Sequence, residues 1–213
     1  MLSLSLAFVT SLLLGMRHAT DPDHIVAVST IASRERSAVR SSWIGVMWGL
    51  GHTLTIFTVG GAIVCFEWSF APRLGLSMEF TVALMLVVLG LLNLTPHAHA
   101  PAANSRLKPF FIGVVHGLAG SAAAALLVLP LIDDARWALV WLAVFGVGTI
   151  AGMAVVTVAI AAPAAYAAVR VVTLQRGIRL ASGAISVVFG LFLGYQIGFV
   201  DGLFTAAPHW TPR

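Results

Sequence analysis

The sequence predicts an all-α integral membrane protein of about six transmembrane helices, arranged as two inverted repeats of three helices. Three observations lead to this fold class: few charged residues, a series of long apolar segments, and basic residues concentrated in alternate loops. Of the 213 residues, 59% are hydrophobic and 9% are charged, whereas soluble domains carry about 25% charged residues. A chain with so few charges could not cover its own surface in water, so we expect a lipid bilayer around it.

The apolar segments are long enough to cross a hydrocarbon core of about 30 Å, which takes about 20 helical residues. They lie at 2–32, 41–66, 78–95, 109–131, 137–163 and 179–199. The first lacks the basic region and the small-residue cleavage site of a signal peptide, so we interpret it as the first span. We expect a single membrane domain over 1–213, made of repeat one at about 1–95, a loop at 96–108, repeat two at about 109–200 and a short outer tail at 201–213.

Polar residues interrupt the first span between Arg17 and His24. Pro22 lacks a backbone N–H and disfavours helix at the residue before it. Asp21 is a good N-cap residue, and proline suits the first position of a helix. We therefore predict that the first helix is broken into two half-helices near Thr20–Pro22.

The loops differ sharply in their basic residues. Loops 33–40, 96–108 and 164–179 together hold eight Lys and Arg residues, whereas the alternate loops hold two, Arg73 and Arg136. The positive-inside rule puts the first set in the cytoplasm, which leaves both termini outside the inner (plasma) membrane. The net charge of +4 therefore indicates orientation, and we expect no nucleic-acid partner because the basic residues form no continuous stripe.

The two halves of the chain resemble each other. Gly15 and His18 match Gly113 and His116 at an offset of 98. Further matches, at offsets of 97 and 100, pair Gly49-Leu50-Gly51 with Gly146-Val147-Gly148, and Val87–Leu91 with Val187–Leu191. Because each half has an odd number of spans, the halves insert with opposite topology, as in many secondary transporters.

The repeat is chemically unequal. At the offset of 98, Asp23 and His24 correspond to Ser121 and Ala122. Only His116 remains in the second half as a candidate metal ligand. We therefore expect one asymmetric site, built mainly by the first half, rather than two equivalent sites.

Ionisable residues crowd the interruption in the first span, where Arg17, His18, Asp21, Asp23 and His24 lie within one short stretch. A central Asp or Arg costs about 2.5–3.5 kcal/mol on insertion scales, and such residues mark transport pathways or functional sites. A continuous helix could not turn His18, Asp21 and His24 onto one narrow face, whereas a break lets them converge. Imidazole and carboxylate together suit nickel, cobalt, zinc or copper. We expect Arg17 to balance Asp21 or Asp23.

Histidines elsewhere in the chain are weaker candidates. His52 lies in the second span, and His116 is the repeat counterpart of His18. A single histidine in an apolar span also serves as a hydrogen-bonding residue between helices, so both interpretations stay open for these two residues. His97 and His99 lie on a loop predicted to be cytoplasmic, where they could pass metal to a cytoplasmic acceptor or simply be solvated.

The first span also resembles a known signature. The run Arg17–Ile25 is similar to the sequence Arg-His-Ala-x-Asp-Ala-Asp-His-Ile of the nickel/cobalt transporter family. His18, Asp23 and His24 match the His-x4-Asp-His core of that signature. The segment Leu50–Thr53 looks like the second motif of the same family, in the next span.

The second half matches that family only loosely. The family's later motif, Leu-Gly-Leu-Asp-Thr-Ala-Thr-Glu, is absent. The segment Val115–Ala122 stands in its place and is similar to the shorter, urease-accessory-type nickel permeases. The resemblance therefore implies a permease of this shorter type rather than a full-length member.

The resemblance implies uptake of Ni2+, or of Co2+, into the cytoplasm by alternating access, with the metal bound as substrate and no resident cofactor. The candidate ligands are His18, Asp23 and His24, assisted by Asp21, His52 and His116. Three other hypotheses are an intramembrane metal-dependent hydrolase with Asp21 as its base, a haem-binding subunit with paired histidines, and a metal exporter of related fold. The repeat argues against the hydrolase, because hydrolysis needs no inverted halves.

Overall fold

All the regular structure in the described part of the chain is helical. The computed structural model describes residues 4–33, 37–66, 71–95, 107–128, 132, 134–170 and 172–210, with the backbone alone at 4, 38, 120–128, 164–170 and 172–174. The helices are α1 (Leu4–His18), α2 (Pro22–Ala32), α3 (Ala38–Thr55), α4 (Gly61–Phe66), α5 (Pro72–Leu94), α6 (Lys108–Val128), α7 (Ala135–Arg170) and α8 (Val172–Tyr195). A π-helical turn at Ile56–Gly60 joins α3 to α4, and another at Gln196–Val200 extends α8.

Within the described residues, four helical stretches are long and apolar enough to cross a membrane. They are Val39–Phe66, Pro72–Leu94, Ala135–Pro163 and Gln175–Val200. Large apolar side chains such as Val88, Val155 and Val188 are more than half exposed on them, at 54%, 61% and 67%. Extended apolar surface of this kind is unfavourable in water and favourable against lipid tails. The chain is therefore a multi-pass membrane protein.

The predicted loop at 164–179 is wrong, because α7 continues to Arg170 and α8 begins at Val172. A hydropathy pattern ends where side chains leave the lipid, whereas the helix continues because its backbone groups still pair with one another. The basic side chain of Arg176 stays exposed on the helix and can reach water from there as well as from a loop. Likewise, α5 begins at Pro72, earlier than the predicted third span, with proline at its start.

The first span is broken between α1, which ends at His18, and α2, which begins at Pro22. Backbone hydrogen bonds from Thr20 to Arg17 (2.8 Å) and from Asp21 to His18 (3.1 Å) form the turn after α1. Asp21 occupies the N-cap position of α2 with extended backbone angles (φ −62°, ψ 146°), but its side chain makes no capping hydrogen bond. The carboxylate is therefore available to a side chain instead of to the helix.

The most extensive helix contacts pair α1 with α7, α3 with α6, α3 with α7, and α5 with α8. Glycine allows two of these helix pairs to approach closely. A Cβ on Gly15 of α1 would overlap the carbonyl oxygen of Phe145 of α7, and a Cβ on Gly113 of α6 would overlap that of Trp48 of α3. At offsets of 98 and 97, Gly113 and Trp48 are the repeat counterparts of Gly15 and Phe145. The close contact of α1 with α7 therefore corresponds, at nearly the same offset, to the close contact of α6 with α3.

Two buried apolar clusters hold the helices around the broken span. One contains Trp48, Leu86 and Met153 and joins α2, α3, α5 and α7. The other contains Trp141 and Phe145 and joins α4 and the π-helical turn to α7. The polar cluster described next lies against Trp48 and Phe145, so both apolar clusters help to fix its position.

Candidate metal site

Four histidines from α1, α2, α3 and α6 gather around the break in the first span. His18 is the last residue of α1, and its ring centroid lies 4.6 Å from that of His24 in the first turn of α2. The ring centroids of His52 in α3 and His116 in α6 lie 5.0 Å and 4.3 Å from His24. His24, His52 and His116 are buried, with 2%, 0% and 0% of their surfaces exposed. His24 is therefore the centre of the cluster.

His18 links the cluster to Asp21 on one side and to His52 on the other. Its Nδ1 donates to Oδ2 of Asp21 at 2.8 Å, because a carboxylate only accepts. In a neutral ring the Nε2 of His18 then accepts a hydrogen bond from Nε2 of His52 at 3.0 Å. This arrangement assigns a lone pair, not a proton, to Nδ1 of His52.

Asp23 orients two histidines with one carboxylate. Its Oδ1 accepts hydrogen bonds from the backbone N–H of His24 at 2.9 Å and from Nδ1 of His24 at 3.0 Å. Its Oδ2 accepts a hydrogen bond from Nε2 of His116 at 3.0 Å. Carboxylates that fix the tautomer and ring orientation of histidines are a regular feature of metal sites. The remaining lone pairs are at Nε2 of His24 and Nδ1 of His116.

Three buried imidazole nitrogens have no hydrogen-bond partner among the described residues. They are Nε2 of His24, Nδ1 of His52 and Nδ1 of His116. An unsatisfied buried polar atom costs about 1–3 kcal/mol, and such atoms are uncommon in native proteins. Three of them in one cluster indicate a site that binds an electron-pair acceptor, and a transition-metal ion is the acceptor that imidazole prefers.

Two overlapping groups of side chains could hold such an ion. One is His18, His24 and His52, and the other is Asp23, His24 and His116; in each, one ligand atom from every residue lies within 4.8 Å of the others. Metal–imidazole bonds of about 2.0–2.1 Å separate two ligand atoms at right angles by about 2.9 Å. Inward movement of the side chains would therefore complete either group, and both groups use His24.

A cavity of about 330 Å³ opens beside the cluster. Its polar lining residues are His18, Asp21, Asp23, His24, Glu79 and His116. Six water molecules at about 30 Å³ each fill roughly 180 Å³, so the cavity can hold a hydrated divalent ion. Three lining residues are carboxylic acids, and no Lys or Arg is among the described residues that line the cavity. The cavity therefore attracts cations.

Aromatic rings close the apolar side of the cluster. The ring of Trp48 lies 5.5 Å from His24 and 5.4 Å from His116, and the ring of Phe145 lies 5.6 Å from His18. Trp48 is 1% exposed, so it keeps water from reaching the cluster from that side. The resulting low-dielectric surroundings strengthen the attraction between a cation and the carboxylates.

The six residues that the sequence singled out lie together here. They are His18, Asp21, Asp23, His24, His52 and His116. The expected pairing of Arg17 with an aspartate is wrong for the described residues: Arg17 is exposed, and both aspartates bond to histidines instead. Arg17 precedes His18 by one residue, which turns it about 100° around α1, away from the cluster. His97 and His99 lie outside the described residues.

Comparison with known proteins, like this geometry, indicates a protein that handles a transition metal. A family model described as NicO, high-affinity nickel-transport protein, matches residues 4–103. The urease accessory protein UreH of Bacillus sp. (strain TB-90) is 36% identical over 222 residues, which cover 94% of each chain. The chain belongs to the nickel/cobalt transporter family. The match to UreH confirms the predicted resemblance to the urease-accessory type, and no solved structure matches this chain.

Membership of the nickel/cobalt transporter family decides between two of the hypotheses drawn from the sequence. The family is one of transport proteins, so the intramembrane hydrolase is excluded and the chain is not an enzyme. The family match covers the part of the chain that contains the broken span, His52 and Glu79. The relative UreH extends the likeness through His116 and the second half.

Sequence reasoning missed one polar cavity residue of this chain, Glu79, which lies at the outer edge of the predicted third span, 78–95, and was grouped with the acidic residues of the loop before it. Because α5 begins at Pro72, Glu79 lies inside the helix and is only 7% exposed. The signal was its spacing from Val82 and Leu86, three and seven residues later, which are buried on the same face. Hydropathy alone, which placed Glu79 at the edge of the span, gave no weight to this periodicity.

Proposed function

We propose that this chain is a permease that carries Ni2+, or Co2+, into the cytoplasm by alternating access. One observation carries the proposal: three buried histidines, each with one unpaired ring nitrogen, gather with Asp23 beside a cation-attracting cavity. A structural metal has a closed set of protein ligands, whereas an open cavity beside overlapping ligand groups suits a metal that enters and leaves. Membership of a nickel-transport family supports nickel as the principal substrate.

The proposed ligands divide into a core and an assisting set. His18, Asp23 and His24 form the core, and Asp21, His52 and His116 assist. Asp21 orients His18, while His52 and His116 complete the two groups that share His24. Because His24 belongs to both groups, an ion can move from one group to the other while it keeps one protein ligand. Such a transfer lowers the free energy that the ion needs to leave either group of ligands.

The architecture that supports alternating access is a pair of inverted three-span repeats in one membrane domain. The reciprocal approaches of Gly15 to Phe145 and of Gly113 to Trp48 support this arrangement. A second reciprocal pair supports it as well: the counterpart of Gly90 against Gly183 is Gly190 against Ala83, at an offset of 100. Halves related in this way can exchange conformations about a central site, which opens the site to each side in turn.

The proposed orientation places both termini outside the inner membrane and the basic loops in the cytoplasm. In this orientation α1 runs inward from the outside and delivers His18 to the middle of the bilayer. The cavity beside Asp21 then serves as the outer approach for the ion. Nickel would leave toward the loop at 96–108, from which a cytoplasmic acceptor could take it.

Uptake of radioactive nickel by cells that express the wild type or His18→Ala tests the proposal. We expect the initial rate for His18→Ala to fall to the rate of cells without the protein, with equal amounts of both proteins in the membrane. Cobalt uptake measured alongside shows whether the second metal is carried. Normal nickel accumulation by a correctly inserted His18→Ala variant would contradict the proposed site, and faster nickel loss from wild-type cells would indicate an exporter.

A further inference from the structure

Glu79 lines the same cavity from α5, a helix that carries none of the six residues of the histidine cluster. It comes from α5, whereas His18, Asp21 and Asp23 come from α1, α2 and the turn between them. Its side chain is 7% exposed and sits on the helix face that also buries Leu76 and Val82. A carboxylate at such a depth in a membrane protein is costly and marks an ion or substrate pathway.

The C-terminal segment supplies a hydrogen bond to this carboxylate. The indole Nε1 of Trp210 donates to Oε1 of Glu79 at 2.9 Å. The ring of Trp210 lies directly against Gly75, one helical turn before Glu79, where a Cβ would overlap the indole. The contact therefore depends on both the bare backbone of Gly75 and the carboxylate of Glu79.

The segment that carries Trp210 is folded back on the end of α8. Gly202 turns the chain with a φ of +86°, a value that favours glycine. The backbone N–H of His209 donates to the carbonyl of Asp201 at 2.8 Å, and Arg73 donates to the carbonyl of Thr205 at 3.1 Å. The position of Trp210 thus follows from ordered contacts at the same end of α5.

The groups around the cavity suit an ion that arrives with its water shell. Oxygen ligands such as Glu79 and Asp21 bind hydrated divalent ions with little discrimination, whereas imidazole favours transition metals. The same cavity is lined by oxygen ligands, among them Glu79, and by the nitrogen ligands of His18 and His24. An ion that entered past Glu79 would therefore meet the weaker ligand before the more selective ones.

We propose that Glu79 is a staging ligand, which binds the incoming divalent metal ion at the outer part of the cavity before the histidine cluster takes it. This inference rests on the proposed function and adds a binding position to it. The Trp210 indole occupies the carboxylate when the ion is absent and gives it up when the ion arrives. No covalent step is involved, since the exchange replaces one hydrogen bond and some water ligands with a metal–oxygen bond.

The experiment compares Glu79→Gln with Trp210→Phe, because the two changes break the same hydrogen bond from opposite sides. Both are reconstituted in liposomes, and the initial rate of nickel uptake is measured against nickel concentration. Glu79→Gln removes the charged oxygen ligand, and we expect its KM to rise about tenfold, a change typical of lost metal-site partners, with kcat nearly unchanged. Trp210→Phe keeps the carboxylate and removes only the donor, so we expect its KM to stay equal or fall.

A structural role for the hydrogen bond would raise KM in both variants alike, and this result would overturn the proposal. An unchanged KM in Glu79→Gln would overturn it too. Thr81→Ala serves as the matched control, because Thr81 is exposed on α5 and its hydroxyl bonds within the helix to Ser77. Its KM should equal that of the wild type.

Equilibrium binding of nickel to the purified proteins separates this proposal from the proposed function. Glu79→Gln should still bind nickel at the histidine cluster with wild-type stoichiometry, because that cluster is intact. Loss of binding in this variant would show that Glu79 supports the cluster itself and would overturn the staging role. A wild type that binds nickel but moves none would contradict the permease, whatever Glu79 does.

Discussion

The two halves of this chain make matching glycine contacts between helices and differ in chemistry. Gly15 and Gly113 make counterpart approaches to Phe145 and Trp48, so the helix crossings are alike. The cluster, however, takes five of its six polar residues from the first half and only His116 from the second. In the proposed repeat, close packing keeps the helix crossings alike, whereas a single bound ion would need one set of ligands and would leave the other half free to diverge.

The broken span sharpens this contrast. Pro22 begins α2 after the break, and its counterpart at the offset of 98 is Gly120, within the continuous helix α6. Proline prevents the preceding turn from being helical, whereas glycine does not. His52 corresponds at the offset of 97 to Thr149, whose hydroxyl bonds back to the carbonyl of Phe145 at 3.0 Å. Among the described residues, the second half therefore has a continuous α6 in place of the break and keeps only His116 of the candidate ligands.

An effect as large as that of His18→Ala should come from His24, which belongs to both ligand groups. We expect His24→Ala to lower the rate of nickel uptake by about 100-fold or more, since removal of a metal-site partner alone costs about 10–100-fold. Uptake by membrane vesicles, normalised to the amount of inserted protein, measures it. Activity above a tenth of the wild-type rate would show that the two groups do not share an essential residue.

A smaller loss is expected for His116→Ala, which removes the second half's contribution. Asp23 would keep its bond to His24 while losing the one to His116, so the group with His18 and His52 survives. We expect about a tenfold fall in uptake, measured in the same vesicles. A loss as severe as that of His24→Ala would mean that the second half contributes equally, which would break the comparison.

Asp21→Asn should have a modest effect. Asp21 is 45% exposed and acts on the ion through His18, and the amide oxygen of asparagine can still accept the hydrogen bond from Nδ1 of His18. We expect uptake to fall about two- to fivefold, because an exposed carboxylate attracts the ion through a screened field. Comparison of rates at low and high salt checks this reasoning, since the difference between variant and wild type should shrink at high salt.

The smallest effect on the transport rate per folded molecule is expected from two glycine substitutions. These substitutions test whether the two helix crossings are equivalent. Gly15→Ala and Gly113→Ala should each destabilise the protein by about 1–3 kcal/mol, as overpacking does, and by similar amounts. Thermal unfolding in detergent measures both. The control is Gly177→Ala, where a Cβ meets nothing within 4 Å and stability should not fall. Destabilisation by only one of the pair would contradict the equivalence of the two crossings.

Much of the site could be predicted from the sequence because the key residues are local. Pro22 specifies the break by backbone chemistry, and the break explains how His18 and His24 meet. The repeat offset and the resemblance to a known family drew attention to His116 and His52. These are properties of short segments and of their spacing.

What the sequence did not predict depends on contacts between distant segments. Glu79 reaches the cavity because α5 packs against α8, and Trp210 reaches Glu79 because the chain turns at Gly202. The position of Asp23 between His24 and His116 decides which imidazole nitrogens lack hydrogen-bond partners. Hydropathy also placed a loop at 164–179, where helical hydrogen bonding continues on both sides of residue 171.

The central claim is that one nickel ion binds at a cluster centred on His24, to which the first half of the chain contributes most of the ligands. X-ray absorption at the nickel edge, on purified protein loaded with nickel, tests it most directly. We expect about one nickel per chain, with imidazole nitrogens at about 2.0–2.1 Å and at least one oxygen, and we expect His24→Ala to lose this nitrogen shell. Nickel bound only by oxygen in the wild type, or the same spectrum in His24→Ala, would contradict the claim.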